Sequence, residues 1–513
     1  MKDKKTTTNK ELIPDKVLEF SKDKGLFDCG IIVVGLSGGP DSVALLTILK
    51  SLSDRNDINC DIKAFHCNHH LRPVVCDEEA EAVKALCANL GVDLKVLDFD
   101  CKGFSEMNHI SEETAGRILR YEAFEQYAQV LETSTRKNVR IAIAHHKDDI
   151  AETMMMNLFR GAGLEGLVNP KSRTGRIIRP LLCLKKSELV AFLEESGIGY
   201  STDLTNFEAI GTRNVWRNRM LPEIGEFYGE DPAVPLTRTY NLLSNDLDFV
   251  TSKAVEAYKD NLEILSGKRF LKASGTDALH IALKSRAIRF LWQETFGELI
   301  DFEENNLKDC LELLANEQQG EVLLDMPFGR KAYRHGDYFG FAASTEVKAL
   351  AGAITSQMGF LVASDPVCVD ITLGDTDIGT KTIKIPNSAY ILKTRIIENR
   401  YDLEYNYSSW FCPIEALNEG KISFGNQGGI TSPLRMKRAG ARGGKELKRL
   451  MTDLKIPESA RDQILFAEMN GDILWLPGFG HGIGFTDAVS HDRYIAQRQS
   501  DAEALVIFAI ERQ

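Results

Sequence analysis

Short apolar runs alternate with longer amphipathic stretches over the first two hundred residues. The strand-like runs are Ile31–Val34, Ile62–Cys67, Leu94–Phe99 and Val139–Ala144. Helical patterns follow them from about Val43, over Glu78–Leu90, over Glu112–Val130 and from about Asp149. Strands that alternate with helices predict βαβ units and a parallel sheet with both faces covered. Because right-handed crossovers bring the strand ends to one edge, we expect a ligand site along that edge.

The pattern changes after Leu221-Pro222. Helical stretches then run over Thr237–Glu263, Ile281–Phe296 and Asn305–Asn316, and beyond the junction short strand-like runs mix with one helical run, Lys445–Leu454. The predicted class is α/β: an N-terminal Rossmann-like parallel sheet, a mainly helical middle domain and a small α/β C-terminal domain. The predicted segments are an extension (1–27), a catalytic domain (28–220), a middle domain (221–345), a junction rich in Ala, Gly and Ser (346–385) and a C-terminal domain (386–513).

Composition narrows the class of protein. The formal charge of −12 argues against nucleic-acid binding by the whole surface but leaves room for local basic patches. The first residues, MKDKKTTTNKELIPDK, contain no apolar segment of a secretory signal, and we expect a cytoplasmic protein that does not contact a membrane. The ten cysteines form no CxxC pair, which predicts reduced thiols and not a disulfide framework.

The first apolar run ends in a loop of small and polar residues, VVGLSGGPDS (Val33–Ser42). A glycine-rich turn between a strand and a helix exposes N–H groups at the positive end of the helix dipole, where phosphate binds. Ser37 and Ser42 add hydroxyl donors. Asp41 would repel phosphate unless a magnesium ion lies between them. The loop therefore predicts a nucleotide site whose carboxylate holds the metal ion, and a tight turn with a helix cap is the alternative.

The loop differs from other phosphate-binding motifs, since it lacks both GxxxxGK[ST] and GxGxxG. SGGPDS resembles the PP-loop of the N-type ATP pyrophosphatases. That resemblance implies cleavage of ATP between its α- and β-phosphates and adenylation of a carbonyl oxygen.

A second group of polar residues follows the strand Val139–Ala144. Asp149 and Glu152 are three residues apart at a helix start, so they share one face and could hold magnesium or a cationic substrate. Helix capping is the alternative for both, because Asp-x-x-Glu has capping-box spacing. Cysteines and histidines between Cys60 and Cys76 fit no tetrahedral zinc template, whereas His66 and Asn68, at a strand end, are expected to approach the nucleotide.

Further strings resemble one PP-loop family, the tRNA(Ile)-lysidine synthetases. They are HCNHHLR (66–72), GRILRY (116–121), RPLL (179–182), TRNVWR (212–217) and GGKELKRLMTDLKIPESARD (443–462). The resemblance is strong over residues 28–220 and moderate over 430–480. It implies that ATP and L-lysine convert the wobble cytidine of the CAU anticodon of tRNA(Ile) to lysidine, which changes codon reading from AUG to AUA.

The resemblance also implies roles for particular residues. Asp41, Asp149, Glu152 and Arg117 would be catalytic, with Mg²⁺ on Asp41 and Asp149. The expected ATP-binding set is Ser37, Gly38, Gly39, Pro40, Asp41, Ser42, His66 and Asn68. Asp149 and Glu152 would also bind the lysine substrate, and whether they contact metal, lysine or both stays open.

Basic islands within this acidic chain, taken together beside the predicted adenylating site, predict contacts with tRNA phosphates, and a solvated helix face is the alternative for each island alone. Lys171–Lys186 contains six Lys or Arg and no acid, and Arg435–Arg449 holds seven against one Glu. The expected tRNA-binding residues are Arg179, Arg213, Arg217, Arg435, Lys437, Arg438, Lys445 and Lys448. Two functions remain alternatives: another PP-loop tRNA-modifying enzyme and a non-catalytic module that binds nucleotide and RNA. The oligomeric state stays open, with a homodimer as one candidate.

Overall fold

The computed structural model describes most of the chain. The described residues are 9–68, 73–201, 212–297, 302–317, 320–371, 380–386, 390–398, 408–417, 420–430, 434–436, 445–478 and 504–512. Two compact units divide the chain, Met1–Phe249 and Val250–Gln513. The boundaries of the predicted segments remain a prediction.

The first unit consists of a mixed sheet between helices. Its helices are α1 (Asn9–Lys22), α2 (Pro40–Asp54), α3 (Pro73–Leu90), α4 (Cys101–Asn108), α5 (Glu112–Thr135), α6 (Lys147–Phe159), α7 (Leu164–Leu167), α8 (Lys186–Ser196), α9 (Thr212–Val215), α10 (Leu221–Tyr228) and α11 (Ala233–Asn261), which continues into the second unit. Its strands are β1 (Ile31–Gly35), β2 (Asp61–Asn68), β3 (Asp93–Asp98), β4 (Val139–Ala142), β5 (Arg173–Thr174) and β6 (Ile177–Ile178).

The strand order of this sheet is β3-β2-β1-β4-β6-β5, and every pair is parallel except β5 with β6. The chain order reverses between β1 and β4. In open α/β sheets such a switch point opens a crevice beyond the carboxyl ends of the two strands. The PP-loop follows β1 and the Asp149 segment follows β4, so the topology brings the two sequence motifs to the same crevice.

The central strand is apolar because helices cover both of its faces. Ile31, Ile32, Val33 and Val34 are all buried, which is typical of an interior parallel strand. Helix α2 begins with Pro40, a residue suited to the first helical position since its missing N–H would have no partner there. The buried side of α2 packs into the same core and fixes the start of the helix under the sheet edge.

The second unit contains three sheets. Its strands are β7 (Leu262–Leu265), β8 (Lys268–Lys272), β9 (Val322–Met326), β10 (Arg330–His335), β11 (Tyr338–Ala343), β12 (Cys368–Ile371), β13 (Lys381–Lys384), β14 (Tyr390–Glu398), β15 (Ser409–Pro413), β16 (Ile422–Gly425), β17 (Arg435–Met436), β18 (Lys445–Glu446), β19 (Phe466–Met469), β20 (Asp472–Trp475) and β21 (Ala504–Arg512). Its helices are α12 (Ala273–Thr276), α13 (Ile281–Phe296), α14 (Glu304–Leu314), α15 (Val347–Gln357) and α16 (Leu447–Asp453).

The three sheets are ordered β7-β8-β11-β10-β9, β12-β16-β19-β20-β17-β18 and β13-β14-β21-β15. The predicted helices of the middle region are present as α11, α13 and α14. The antiparallel sheet β7–β11 lies beside them and was not predicted. Within the range predicted as a junction, α15 is a helix whose buried face includes Leu350, Ala351 and Ala353, because small side chains allow close packing.

The predicted α/β class is confirmed, with the parallel PP-loop sheet in the first unit and a small sheet domain at the C-terminal end. None of the described helices combines the length and apolar character needed to cross a bilayer.

Candidate functional site

The loop after β1 is held by its two serines. The backbone N–H of Ser37 donates to Ser42 Oγ at 3.1 Å, the two hydroxyl oxygens lie 3.0 Å apart, and Ser42 Oγ donates to the Gly39 carbonyl at 3.0 Å. Gly38 has φ +86°, a conformation that favours glycine. The backbone N–H of Ser201 donates to the Gly38 carbonyl at 2.9 Å. The loop is thus closed on itself around the start of α2, and both serines take part.

The end of β2 forms the next wall of the site. His66 is buried, and its Nδ1 donates to the Leu36 carbonyl at 2.8 Å. In the neutral ring this leaves Nε2 as an acceptor. His66 and Asn68 line a cavity of about 510 Å³ together with the loop, within the usual volume range of ligand sites. The two residues predicted to approach the nucleotide therefore share a cavity with the PP-loop.

The start of α6 brings acidic groups to this cavity. Asp149 is buried, and its Oδ2 accepts the backbone N–H of His146 at 2.9 Å, so the helix cap pairs Asp149 with His146 and not with Glu152, whose spacing suggested the capping alternative. Asp148 has its partner on another helix, since its Oδ2 accepts the backbone N–H of Lys186 at the start of α8, at 2.9 Å. Asp149 can cap the helix and still have a functional role, because its second oxygen, Oδ1, takes no part in the cap and accepts a hydrogen bond from Arg213.

His146 lies among three carboxylates. Its Nδ1 is 3.2 Å from Asp148 Oδ2, and its Nε2 is 3.6 Å from Asp149 Oδ2 and 3.7 Å from Asp41 Oδ2. Burial by itself lowers the pKa of His146, but the neighbouring carboxylates of Asp148, Asp41 and Asp149 outweigh it and raise the pKa to about 10. The ring is therefore an imidazolium at neutral pH, and it links the PP-loop carboxylate to the carboxylates of α6.

We expect the His146 ring to stay doubly protonated from pH 6.5 to pH 9, whereas His145, whose pKa burial lowers to about 4, is neutral at pH 7. Ring ¹⁵N chemical shifts of histidine-labelled protein, assigned with His146→Gln, measure both states. The stability contributed by His146 is then full below pH 6.5 and lost as pH rises through about 10, because its pKa in the folded protein exceeds the unfolded value. A His146 midpoint near 6.5 would contradict this assignment.

Arg213 on α9 and Arg217 on the turn that follows it contact the acidic pair of α6, Asp149 and Glu152. Arg213 donates from Nε to Glu152 Oε2 at 2.7 Å and from Nη2 to Asp149 Oδ1 at 2.9 Å. Arg217 donates from Nε to Glu152 Oε1 at 2.5 Å and from Nη2 to Glu152 Oε2 at 3.0 Å. Glu152 is only 1% exposed. The carboxylates predicted to bind a cationic substrate are thus paired with two of the arginines predicted to bind tRNA.

Arg117 and Arg120 of α5 line the cavity opposite the loop. Both side chains are exposed, and the Arg117 guanidinium lies over the ring of Tyr121, 5.0 Å from its centroid. Arg117 and Arg120 are three residues apart on α5, so they share one helix face, and that face lines the cavity of about 510 Å³, where guanidinium groups suit phosphate oxygens.

Arg179, predicted to bind tRNA, is buried in the structure. Its Nε donates to His145 Nδ1 at 2.9 Å and its Nη1 donates to the Lys171 carbonyl at 2.8 Å. This geometry favours a positioning role for Arg179, since the guanidinium holds the neutral His145 ring at the end of β4. Burial lowers the pKa of Arg179, but a guanidinium remains charged.

The basic residues of the C-terminal region are only partly described. Arg435 on β17 and Lys448 on α16 are exposed. Lys437 and Arg438 lie outside the described residues, and of Lys445 the structure describes the backbone position on β18. The tRNA-binding role of this island remains a prediction.

A second cavity of about 480 Å³ adjoins the acidic pair. Asp148, Glu152 and Arg217 line it together with residues of α10 and the turn after it. Arg217 also lines the nucleotide cavity, so its side chain separates the two spaces. A ligand in the second cavity would face Glu152, while a ligand in the first would face Asp149.

The residues present fit a magnesium ion at Asp41. Asp41 Oδ1 is buried and has no hydrogen-bond partner among the described residues, while the carboxylate faces the phosphate-binding loop. Magnesium commonly takes one or two carboxylates together with substrate phosphates. Asp149 is less available, because His146 N–H and Arg213 engage its two oxygens. Within the described part of the chain no cluster of three Cys, His or acidic residues has metal-ligand geometry, and the Cys60–Cys76 range includes residues outside it.

Lys186 was not predicted as a site residue, but its Nζ lies 3.8 Å from Asp41 Oδ2 at the cavity wall. A signal for it exists in the sequence, since Lys185 and Lys186 begin helix α8, where the helix dipole disfavours positive charge. Ser201 was also missed, and no local pattern distinguishes it, because its contact with the Gly38 carbonyl is made across the fold.

Two protein-family models match this chain, one in its N-terminal part and one in its C-terminal part. Residues 10–224 match the model of a PP-loop domain, and residues 430–494 match the model of the TilS substrate C-terminal domain. The two matches contain the two segments in which the sequence strings were found.

Curated relatives match over most of the chain. The tRNA(Ile)-lysidine synthase of Caldanaerobacter subterraneus subsp. tengcongensis is 29% identical over 459 residues, which is 87% of this chain and 89% of that protein. The synthase of Bacteroides thetaiotaomicron is 36% identical over 261 residues, 50% of this chain and 58% of that protein. Among solved structures, the U34-tRNA thiolase NcsA of Methanococcus maripaludis covers 45% of this chain and 78% of its own, with 19% identity and a TM-score of 0.37.

Proposed function

Because the chain belongs to the tRNA(Ile)-lysidine synthase family of PP-loop enzymes, we propose that it ligates L-lysine to C2 of the wobble cytidine in the CAU anticodon of tRNA(Ile), in the cytoplasm. ATP is converted to AMP and pyrophosphate in the process. One observation carries the proposal: the PP-loop, Arg117 of α5 and Asp149 of α6 all line the same cavity of about 510 Å³.

The first step joins the cytidine to the nucleotide. The 2-oxo oxygen attacks the α-phosphorus, the bond to the β-phosphate oxygen breaks, and pyrophosphate leaves. Negative charge on the phosphate oxygens is stabilised by the first-turn N–H groups of α2, by Ser37 and Ser42, and by Arg117. Asp41 would hold Mg²⁺, which when bound neutralises phosphate charge. His66 and Asn68 complete the nucleotide wall.

The second step uses the lysine side chain. Its ε-nitrogen must lose a proton before it attacks C2, after which the C2–O bond breaks and AMP leaves with the oxygen. Asp149 and Glu152 are the proposed binding groups for the ammonium. The guanidinium groups of Arg213 and Arg217 occupy this position in the free chain, so lysine must displace at least one of them or bind beside it.

Arginines that leave the acidic pair can bind phosphate instead. Arg213 and Arg217 therefore serve in the proposal both as counter-ions of the free enzyme and as tRNA contacts of the complex. Arg435 and Lys448, with Lys437, Arg438 and Lys445, supply a second phosphate-binding surface.

A direct assay tests the reaction. Incubation with labelled lysine, ATP, Mg²⁺ and a tRNA(Ile) transcript bearing CAU is expected to give one lysidine per tRNA after digestion to nucleosides, with AMP in equal amount. Mass spectrometry of the nucleosides and chromatography of the nucleotides measure the two products.

The controls separate the alternatives. A tRNA(Ile) with U in place of the wobble cytidine should give no product, and a sulfur-containing nucleoside in place of lysidine would identify another PP-loop tRNA-modifying enzyme. tRNA binding with neither AMP nor lysidine would favour the non-catalytic binding module.

A further inference from the structure

Phe159 exposes its ring at the end of α6. The side chain is 73% exposed, and the neighbouring Leu158 is 52% exposed. Burying a phenylalanine side chain stabilises a fold by about 1.5–3 kcal/mol, which this position does not gain. An isolated exposed apolar residue is common, so exposure alone carries no conclusion.

The ring is nevertheless held in place. The ring packs against Trp216, which is only 8% exposed. The two ring centroids are 5.3 Å apart and the ring planes are tilted by 43°. Trp216 lies on the π-helical turn Trp216–Met220, which immediately precedes α10. A buried tryptophan therefore supports one edge or face of Phe159 while the rest of the phenyl ring faces solvent. We call this pair the Phe159 platform.

The platform lies on the same helix face as Glu152, one member of the acidic pair. Glu152 and Phe159 are seven residues apart, two turns of α6, which is about 10 Å along the axis. On the other side of the contact, Trp216 directly precedes Arg217, which binds Glu152. Stacked nucleotides rise about 3.4 Å each, so a strand whose cytidine lies at the acidic pair reaches the platform within about three nucleotides.

Cations flank the platform. Arg160 directly follows Phe159 and is exposed, and the exposed Arg219 lies on the same turn as Trp216, where it pairs with Glu223 at 3.1 Å. A solvent-facing aromatic ring between arginines is the surface on which unpaired bases stack, with the backbone phosphates on the cations.

We propose that Phe159 is a stacking platform for an unpaired base of the anticodon loop that neighbours the modified cytidine. The inference rests on the proposed function and adds to it the surface that holds the strand beside the cytidine. Stacking there would fix the path of the loop and so present the cytidine to the nucleotide cavity.

The test compares four substitutions at Phe159 by the Kd for the tRNA(Ile) transcript. Phe159→Ala and Phe159→Leu should weaken binding by roughly 5- to 150-fold, the range measured for loss of one base–aromatic stack. Phe159→Tyr and Phe159→Trp keep the aromatic face and should bind within about threefold of the natural protein. Phe227→Ala is the matched control, because Phe227 is 82% exposed and its ring packs on Tyr228 and not on Trp216.

An abasic series identifies the base. Removal of the stacked base should weaken binding to the natural protein and have little further effect on Phe159→Ala, as a double-mutant cycle requires. Normal binding by Phe159→Leu, or an equal loss in Phe227→Ala, would overturn the proposal. Unchanged tRNA binding with a shift from dimer to monomer in sedimentation would instead make Phe159 a subunit contact. Lysidine formation by the natural protein is measured in parallel, so that failure of the platform is distinguished from failure of the proposed function.

Discussion

Asp41→Asn is expected to reduce AMP and lysidine formation by between about a hundredfold and ten-thousandfold, while the Kd for tRNA changes by less than about twofold. The substitution preserves the size of the side chain but removes the charge that would hold Mg²⁺ against the triphosphate. Metal stabilisation of a phosphoryl-transfer step contributes several kcal/mol, and each 1.36 kcal/mol is a factor of ten in rate. Single-turnover AMP release at saturating ATP measures the rate, and filter binding measures the Kd.

The same helix provides the control for this substitution. Asp54, at the far end of α2, is exposed and pairs with Lys50, so Asp54→Asn should retain full activity. Loss of tRNA affinity in Asp41→Asn would show that the PP-loop also contributes to RNA binding, against the separation of catalytic loop and RNA surface proposed above. Full activity of Asp41→Asn at low Mg²⁺ would show that the Asp41 carboxylate does not hold the metal ion.

Glu152→Gln is expected to raise the KM for lysine by roughly thirtyfold to a thousandfold, while adenylation of tRNA without lysine continues. Glutamine keeps the shape of the side chain, but the loss of one member of a buried charged pair costs about 2–5 kcal/mol. We also expect the free energy of unfolding to fall by about 1–3 kcal/mol. The arginine partners are partly exposed, at 42% and 28%, so this fall is smaller than for a fully buried pair.

Lysine titrations of lysidine formation measure the KM, and pyrophosphate release without lysine measures the first step. Glu223→Gln is the matched control, because Glu223 also pairs with an arginine, Arg219, but at 60% side-chain exposure. It should leave the KM for lysine and the unfolding free energy nearly unchanged. A loss of pyrophosphate release in Glu152→Gln would contradict the assignment of Glu152 to lysine binding.

Local patterns predicted the parts of the fold in which one segment suffices. The all-apolar run Ile31–Val34, followed by a helical pattern, predicted an interior strand, and SGGPDS predicted the turn after it. The helices α11, α13 and α14 were predicted because their apolar periodicity extends over several turns. The sheet β7–β11 was missed because its short strands are partly exposed, with weak alternation, and their pairing spans up to about seventy residues.

The candidate site likewise contains residues that local patterns predicted and contacts that they did not predict. Asp41, Asp149 and Glu152 were selected because carboxylates at helix starts next to strand ends can hold a metal ion or a cationic substrate, although the same residues also suit helix capping. The pairing of Arg213 and Arg217 with the acidic residues was not predictable, since more than sixty residues separate the partners. Arg179, expected on the surface, is buried against His145 for the same reason: a basic island in the sequence does not state which of its members face solvent.

The sequence by itself determined the phosphate-binding loop, the βαβ order and the identity of the acidic groups, because these depend on local conformation and residue chemistry. Only the tertiary structure decided that His146 lies among three carboxylates, that arginines hold the acidic pair, and that Phe159 faces solvent on a buried tryptophan. Charge state, pairing and exposure depend on groups that are distant in the chain and become neighbours at the edge between β1 and β4, where burial strengthens every electrostatic contact.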